Sequence, residues 1–302
     1  SDILTFRDGR AYGFYGSTDT SGIINYILNT VPGINSNNVN RSTDVSIVFN
    51  RDMNSSSLNS SNIKVYAEYS GIQNAILTYD SLLKKLTIDP FEDFIAGEKI
   101  NVTITSGVKT FENMNVSPFS FSFTTEATGG SARFAITDSI EITGSVNIAD
   151  IDSDGDIDIL VGNNTLNSMQ QVKIYKNDGS GHFSYFTDVQ GAYQSFTVAD
   201  FDTDGDPDIL SEAENDQVRL FLNDGLGNFS PSIVSGGFTG IPADLDNDGD
   251  PDIARIYSGN DVITAKNQNG SFIPQNSIII PEHCQESYFY LYPFIEIADM
   301  DN

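Results

Sequence analysis

The stretch "ADIDSDGDIDIL", residues 149–160, places aspartates at alternate positions, Asp150, Asp152, Asp154, Asp156 and Asp158. Carboxylates this close repel one another, yet the run passes without a break into the apolar, strand-like Ile159, Leu160 and Val161. A counter-charge has to neutralise it. The motif returns as "ADFDTDGDPDIL" from Ala199 and "ADLDNDGDPDIA" from Ala243, and begins a fourth time as "ADMDN" from Ala298. Its first aspartates stand at 150, 200, 244 and 299, giving spacings of 50, 44 and 55 residues. Repetition at such a period marks one structural unit per copy.

A second piece recurs within each unit. "VKIYKNDGSGHFSYF" from Val172 matches "VRLFLNDGLGNFSPS" from Val218 and, more weakly, "ITAKNQNGSFIPQ" from Ile263. In each, an alternating apolar run meets Asn-Asp-Gly or Asn-Gly, residues that accept the positive φ of a tight hairpin turn, and then a segment headed by Phe183, Phe229 or Phe272. The unit therefore reads as four strands in the order "DIDILVGN", "QVKIYKN", "GHFSYFT" and "QSFTVAD", the last leading into the next loop. Four strands per period of about 45 residues is the blade of a β-propeller.

A hard dication explains the aspartates. Ca²⁺ takes six to eight oxygens, and a tightly turning loop supplies them from alternate residues. In the first loop Asp150, Asp152 and Asp154 offer side-chain oxygens, Gly155 permits the turn, the Asp156 carbonyl adds a ligand and Asp158 closes the shell. The second loop presents Asp200, Asp202, Asp204, Asp206 and Asp208, and the third Asp244, Asp246, Asp248, Asp250 and Asp252. Three complete Ca²⁺ sites are expected. The fourth stops at Asp299 and Asp301, too few ligands to hold the ion well. An EF-hand shares the opening but needs an acidic twelfth residue between helices, whereas Val161, Ser211 and Arg255 stand there between strand-like flanks. A solvated acidic loop without metal is the bland alternative; three copies with glycine in register weigh against it.

Composition bounds the function. The 302 residues carry a net charge of −27, which argues against nucleic acid or an anionic membrane surface as partner. That charge is uneven: residues 1–130 hold 13 acidic and 9 basic side chains, net −4, and residues 131–302 hold 29 and 6, net −23. The step coincides with "TTEATGGSARF", a Gly-rich linker. The division expected is an N-terminal segment or tail of a preceding domain at 1–23, a β-sandwich at 24–127 and a propeller region at 128–302. No apolar run of about 18 residues exists to insert into a membrane, and a single cysteine, Cys284, excludes an intramolecular disulfide. Room for three blades and the opening of a fourth reads as a fragment of a larger protein.

The sandwich expectation rests on period-two alternation. Val45, Ile47 and Phe49 share one face, as do Ile100, Val102 and Ile104, and Phe119, Phe121 and Phe123 alternate with small polar residues. No chemistry is legible there; Lys84, Lys85 and Lys99 read as solvated charges. The fold class expected is thus all-β, an Ig-like β-sandwich followed by a partial β-propeller of about three four-stranded blades and the start of a fourth.

Two resemblances follow. The motif D-x-D-x-D-G-D-x-D before an aliphatic strand, with its downstream N-D-G turn, resembles the FG-GAP and VCBS repeats of bacterial surface proteins, relatives of the calcium-binding blades of integrin α-subunits. The literal Phe-Gly and Gly-Ala-Pro signature is not legible, which favours the VCBS-like branch. The order "DVSIVFN", "KINVTITSGV", "FSFTTE" resembles the SbsA-type bacterial Ig-like domain. The resemblances imply Ca²⁺ at the loop aspartates and a secreted or cell-surface bacterial protein, its Ig-like spacer presenting a propeller to a protein or glycan ligand. The alternative is a non-catalytic accessory region of an exported polysaccharide-active enzyme. No catalytic residues stand out. His182 occupies a turn where the next copy has Asn228, and the His283-Cys284 pair lacks an identifiable third partner.

Overall fold

The computed structural model describes residues 2–7, 10–14, 26–127, 140, 144–162, 171–213, 217–234, 237–256, 261–275, 277 and 294–298. Within them the chain is all-β, with only a single 3₁₀ turn at Ser55–Ser57. It opens with a hairpin, β1 (Asp2–Arg7) and β2 (Arg10–Phe14). Nine strands follow: β3 (Ile27–Val31), β4 (Ser36–Val39), β5 (Val45–Phe49), β6 (Ile63–Ala67), β7 (Gly71–Ile72), β8 (Ala75–Asp80), β9 (Lys85–Pro90), β10 (Lys99–Ile104) and β11 (Phe119–Thr125). They build two sheets, in the orders β3-β5-β9-β8 and β4-β11-β10-β6-β7. Only β4 with β11 is a parallel pair among them.

One core lies between these sheets. Val45, Ile47 and Phe49 meet Leu86 and Ile88 from one side and Ile63, Val65, Ile100, Val102, Ile104, Phe121 and Phe123 from the other. Alternation puts every second side chain of β6 and β10 inward, for β10 as the sequence led one to expect. Phe119 departs from its expected place: it sits at the start of β11, partly buried, against the margin of the core. Phe94 closes the interior, meeting Phe123 edge to face with ring centroids 5.8 Å apart.

Three four-stranded antiparallel sheets follow. The first blade is β12 (Val146–Ala149), β13 (Asp158–Gly162), β14 (Gln171–Asn177) and β15 (Phe183–Gln190). The second is β16 (Phe196–Ala199), β17 (Asp208–Glu212), β18 (Val218–Asn223) and β19 (Phe229–Val234). The third is β20 (Ile241–Ala243), β21 (Asp252–Ile256), β22 (Val262–Gln268) and β23 (Ser271–Pro274). The blade is offset by one strand from the sequence reading, because "QSFTVAD" starts the second blade instead of finishing the first. The aspartate loop causes this. It is itself a hairpin connection, so Ala149 pairs with Asp158, Ala199 with Asp208 and Ala243 with Asp252.

Successive blades meet along their first strands and through apolar plugs. The Thr197 hydroxyl donates to the Gly240 carbonyl at 2.8 Å and accepts from the Gly240 N–H at 3.0 Å. Ile151 and Phe201, each the residue between the first two aspartates of a loop, are fully buried between their own blade and the next. Phe201 meets Phe272 of the third blade edge to face with centroids 5.5 Å apart. Among the described residues the result is a partial propeller of three complete blades. β24 (Phe294–Ala298), just before the fourth motif, pairs with β1 to give the sheet order β2-β1-β24. The first residues of the chain thus join the last strand of the repeat region. Asp299, Asp301, His283 and Cys284 lie outside the described residues.

Candidate metal centre

Each aspartate loop is wound by its own carboxylates. The first aspartate accepts from the backbone N–H groups of the fifth and sixth loop residues: Asp150 from Asp154 and Gly155, Asp200 from Asp204 and Gly205, Asp244 from Asp248 and Gly249, all at 3.0–3.2 Å. The ninth residue closes the loop with both oxygens. Asp158 accepts from Ile151 and Asn177, Asp208 from Phe201 and Asn223, and Asp252 from Leu245 and Asn267, at 2.7–3.1 Å. Two further backbone features complete the turn. Gly155, Gly205 and Gly249 have φ of 90°, 108° and 93°, which suits glycine. Ser153, Thr203 and Asn247 also adopt left-handed φ of 57–59°, unforced by any glycine in the sequence. Thr203 is β-branched and poorly suited to that region. Thr203→Asn, the residue of the third loop, is therefore expected to stabilise the protein by about 0.5–1 kcal/mol. Chemical denaturation measures this, and a lower midpoint would count against strain at that residue.

This winding gathers three carboxylates per loop. Ligand oxygens of Asp150, Asp152 and Asp158 lie within 4.8 Å of one another, as do those of Asp200, Asp202 and Asp208, and of Asp244, Asp246 and Asp248. Asp156 and Asp206, fourth in their loops, turn their side chains toward Gly179 and Gly225 of the hairpin turns. Asp154 and Asp204 differ. They accept the N–H of Asp156 and Asp206 at 3.0 Å and are not in the triads. In the third loop Asp248 joins the triad and Asp252 does not. Inner oxygens of Asp152 and Asp202 are buried without a hydrogen-bond partner. An orphaned carboxylate oxygen beside two others is a donor set suited to a hard cation.

Burial, reinforced by neighbouring carboxylates, makes these groups hard to ionise without a counter-charge. It raises Asp150 and Asp200 to about 7, Asp158 to about 6 and Asp208 to about 8. Asp202 and Asp244 rise to about 6, and Asp252 to about 7, for the same reason.

The sandwich docks on these loops. Strands β6 and β10 turn Lys64, Tyr66 and Thr103 away from the core. Thr103 donates to Asp244 at 3.1 Å, and the Tyr66 hydroxyl accepts from the Asp200 N–H at 3.2 Å. Burial and Asp200 together push the Tyr66 hydroxyl well above its ordinary pKa. The β6–β7 turn adds the Tyr69 carbonyl, which accepts from Asp150 N–H at 3.0 Å, and the Ile72 N–H, which donates to Asp200 at 2.9 Å. Fully buried Glu98 fixes that turn by accepting from the N–H groups of Tyr69 and Ser70. Gly71, at φ 66°, allows the close approach, since a Cβ there would lie 2.9 Å from the Gly205 carbonyl. Gly71→Val is expected to cost about 1–3 kcal/mol and to speed amide exchange at Ile72. Unchanged exchange would contradict a docked turn.

Residues 24–125 match the bacterial Ig-like domain, and residues 150–211 and 200–254 match the FG-GAP-like repeat. No curated protein matches the chain. Among solved structures, PcoC, a copper resistance protein from Escherichia coli, aligns at 14% identity and TM-score 0.27, covering 33% of this chain and 98% of PcoC. The surface layer protein SbsC, domains 1–6, aligns at 12% identity and TM-score 0.29, covering 84% of this chain and 34% of SbsC.

The FG-GAP-like repeats hold one set of residues that the motif alone did not single out. Asn177, Asn223 and Asn267, the first residues of the hairpin turns, act as clasps. Their side-chain oxygens accept from turn glycines, Gly179 and Gly181, Gly227, and Gly270. Asn223 donates across the blade boundary to the Ile151 carbonyl at 2.9 Å, and Asn267 to the Phe201 carbonyl at 2.8 Å. The second and third clasps thus tie their blades to the preceding loop, whereas Asn177 donates to the Ile157 carbonyl of its own loop at 3.1 Å. The signal was the recurrence of Asn, which hairpin chemistry alone already explained.

Proposed function

We propose that the chain is a non-catalytic, secreted or cell-surface bacterial module whose FG-GAP-like blades bind Ca²⁺, with the Ig-like domain presenting them to a protein or glycan ligand. The carrying observation is the recurrence of three converging carboxylates in each loop, the first and third loop positions among them every time, with an inner oxygen left unpartnered in two of the loops. Asp150, Asp152 and Asp158, their counterparts in the second loop, and Asp244, Asp246 and Asp248 would hold the ion. Its role is to supply the positive charge that lets buried carboxylates ionise within the blade. Export fits this chemistry, because extracellular modules work at millimolar Ca²⁺.

Tb³⁺, which takes the place of Ca²⁺ at oxygen sites, tests the reading. Tyr66 lies against Asp200, so excitation of tyrosine is expected to sensitise terbium emission that Ca²⁺ competes away and Mg²⁺ does not. Absence of sensitised emission would argue against metal in the second loop.

A further inference from the structure

The three loops are not equivalent, and the difference lies one residue before the clasp asparagine. That position is Lys176 in the first blade, Leu222 in the second and Lys266 in the third. The Lys176 ammonium sits 2.6 Å from Asp152 Oδ2. Lys266 pairs with Asp246 and, at 3.0 Å, with Asp248. Both lysines therefore bring a positive charge to carboxylates of their own metal triad. In the second blade the same position delivers none. Leu222 instead lines a cavity of about 260 Å³ with Asp202, Leu220, Ser232, Val234 and Gly270. Among the described residues no ion pair reaches Asp200, Asp202 or Asp208.

Electrostatics separates the loops accordingly. A cation entering the first or third loop meets an ammonium already bound to the second aspartate, and has to displace it or share the carboxylates with it. Asp152 keeps its other oxygen unpartnered, so the first loop stays competent at lower affinity. The second loop opposes a cation with no like charge.

We propose that the Asp200–Asp208 loop is the dominant divalent-cation site, and that Lys176 and Lys266 set the other two loops in a weaker class, so that ions load in order. This rests on the reading of the loops as Ca²⁺ sites.

Calorimetric titration of Ca²⁺ into the chelator-stripped chain tests it. The expected isotherm resolves one tight site and a weaker class. Leu222→Lys is expected to weaken the tight site by roughly tenfold or more, and Lys176→Met with Lys266→Met to convert the weak class to tight. The two sets of variants move affinity in opposite directions, so loss of folding in one leaves the other decisive. Equal sites in the unaltered chain, or lysine removal that leaves the weak class unchanged, would overturn the proposal while leaving Ca²⁺ binding intact. No heat from the unaltered chain or any variant would overturn both.

Discussion

Removing divalent cations at about pH 8 is expected to lower the unfolding midpoint of the repeat region by roughly 10 °C. A site held at a thousand times its dissociation constant contributes about 4 kcal/mol, and a domain of this size moves by about 2–4 °C per kcal/mol. The pH dependence of the metal-free protein fixes the cause. Asp150, Asp200, Asp208 and Asp252 have folded-state values of about 7 to 8, all above the unfolded range near 4. Their stabilising contribution is fully present below the unfolded value and is lost as pH rises from there through the folded values of about 7 to 8. The stripped protein is therefore expected to melt higher at about pH 5 than at pH 8, and added Ca²⁺ to recover most of the difference. Calorimetric scans at both pH values measure this. A metal-free midpoint that does not fall with rising pH would show that the carboxylates are already neutralised by the chain itself.

Asp208→Ala is expected to be the most damaging single change in the loops. The carboxylate is fully buried and accepts from the Phe201 N–H at 3.0 Å and the Asn223 N–H at 2.9 Å. Truncation leaves two buried donors unpaired, each costing about 1–3 kcal/mol, and removes one member of the second triad. The loss expected is about 2–6 kcal/mol in metal-free denaturation, larger still in Ca²⁺. Asp204→Ala is the contrast. Asp204 is exposed, caps the Asp206 N–H and lies outside the triad, so its loss is expected to cost under about 1 kcal/mol without metal. Equal destabilisation by the two would contradict the division between closing and capping aspartates.

Much of this architecture is legible in the chain because its signals are local. Alternation at Val45-Ile47-Phe49 and Ile100-Val102-Ile104 names the inward faces of the sandwich, and the repeated D-x-D-x-D-G names the loops. What escapes is non-local. The alternation of Ile100, Val102 and Ile104 shows that Thr103 faces outward but not that an aspartate loop lies against it. The phase of the blade escapes for the same reason: "QSFTVAD" alternates equally well as a last strand or a first, and only closure of the loop by Asp158 and Asp208 decides. The ligand set is blurred because five aspartates share one spacing while backbone N–H groups claim some of them. Lys176, Leu222 and Lys266 look like ordinary strand residues until the hairpin brings them over the loops.

Equilibrium dialysis of the chelator-stripped chain against radioactive Ca²⁺ at physiological salt tests the central claim, that carboxylate triads in the blades hold the ion, most directly. The expected result is saturable uptake that reaches at least one ion per chain, survives raised NaCl and is reduced by Asp208→Ala. Uptake that rises without saturating and collapses in high salt would be the counter-ion atmosphere of a chain with net charge −27, and would contradict it.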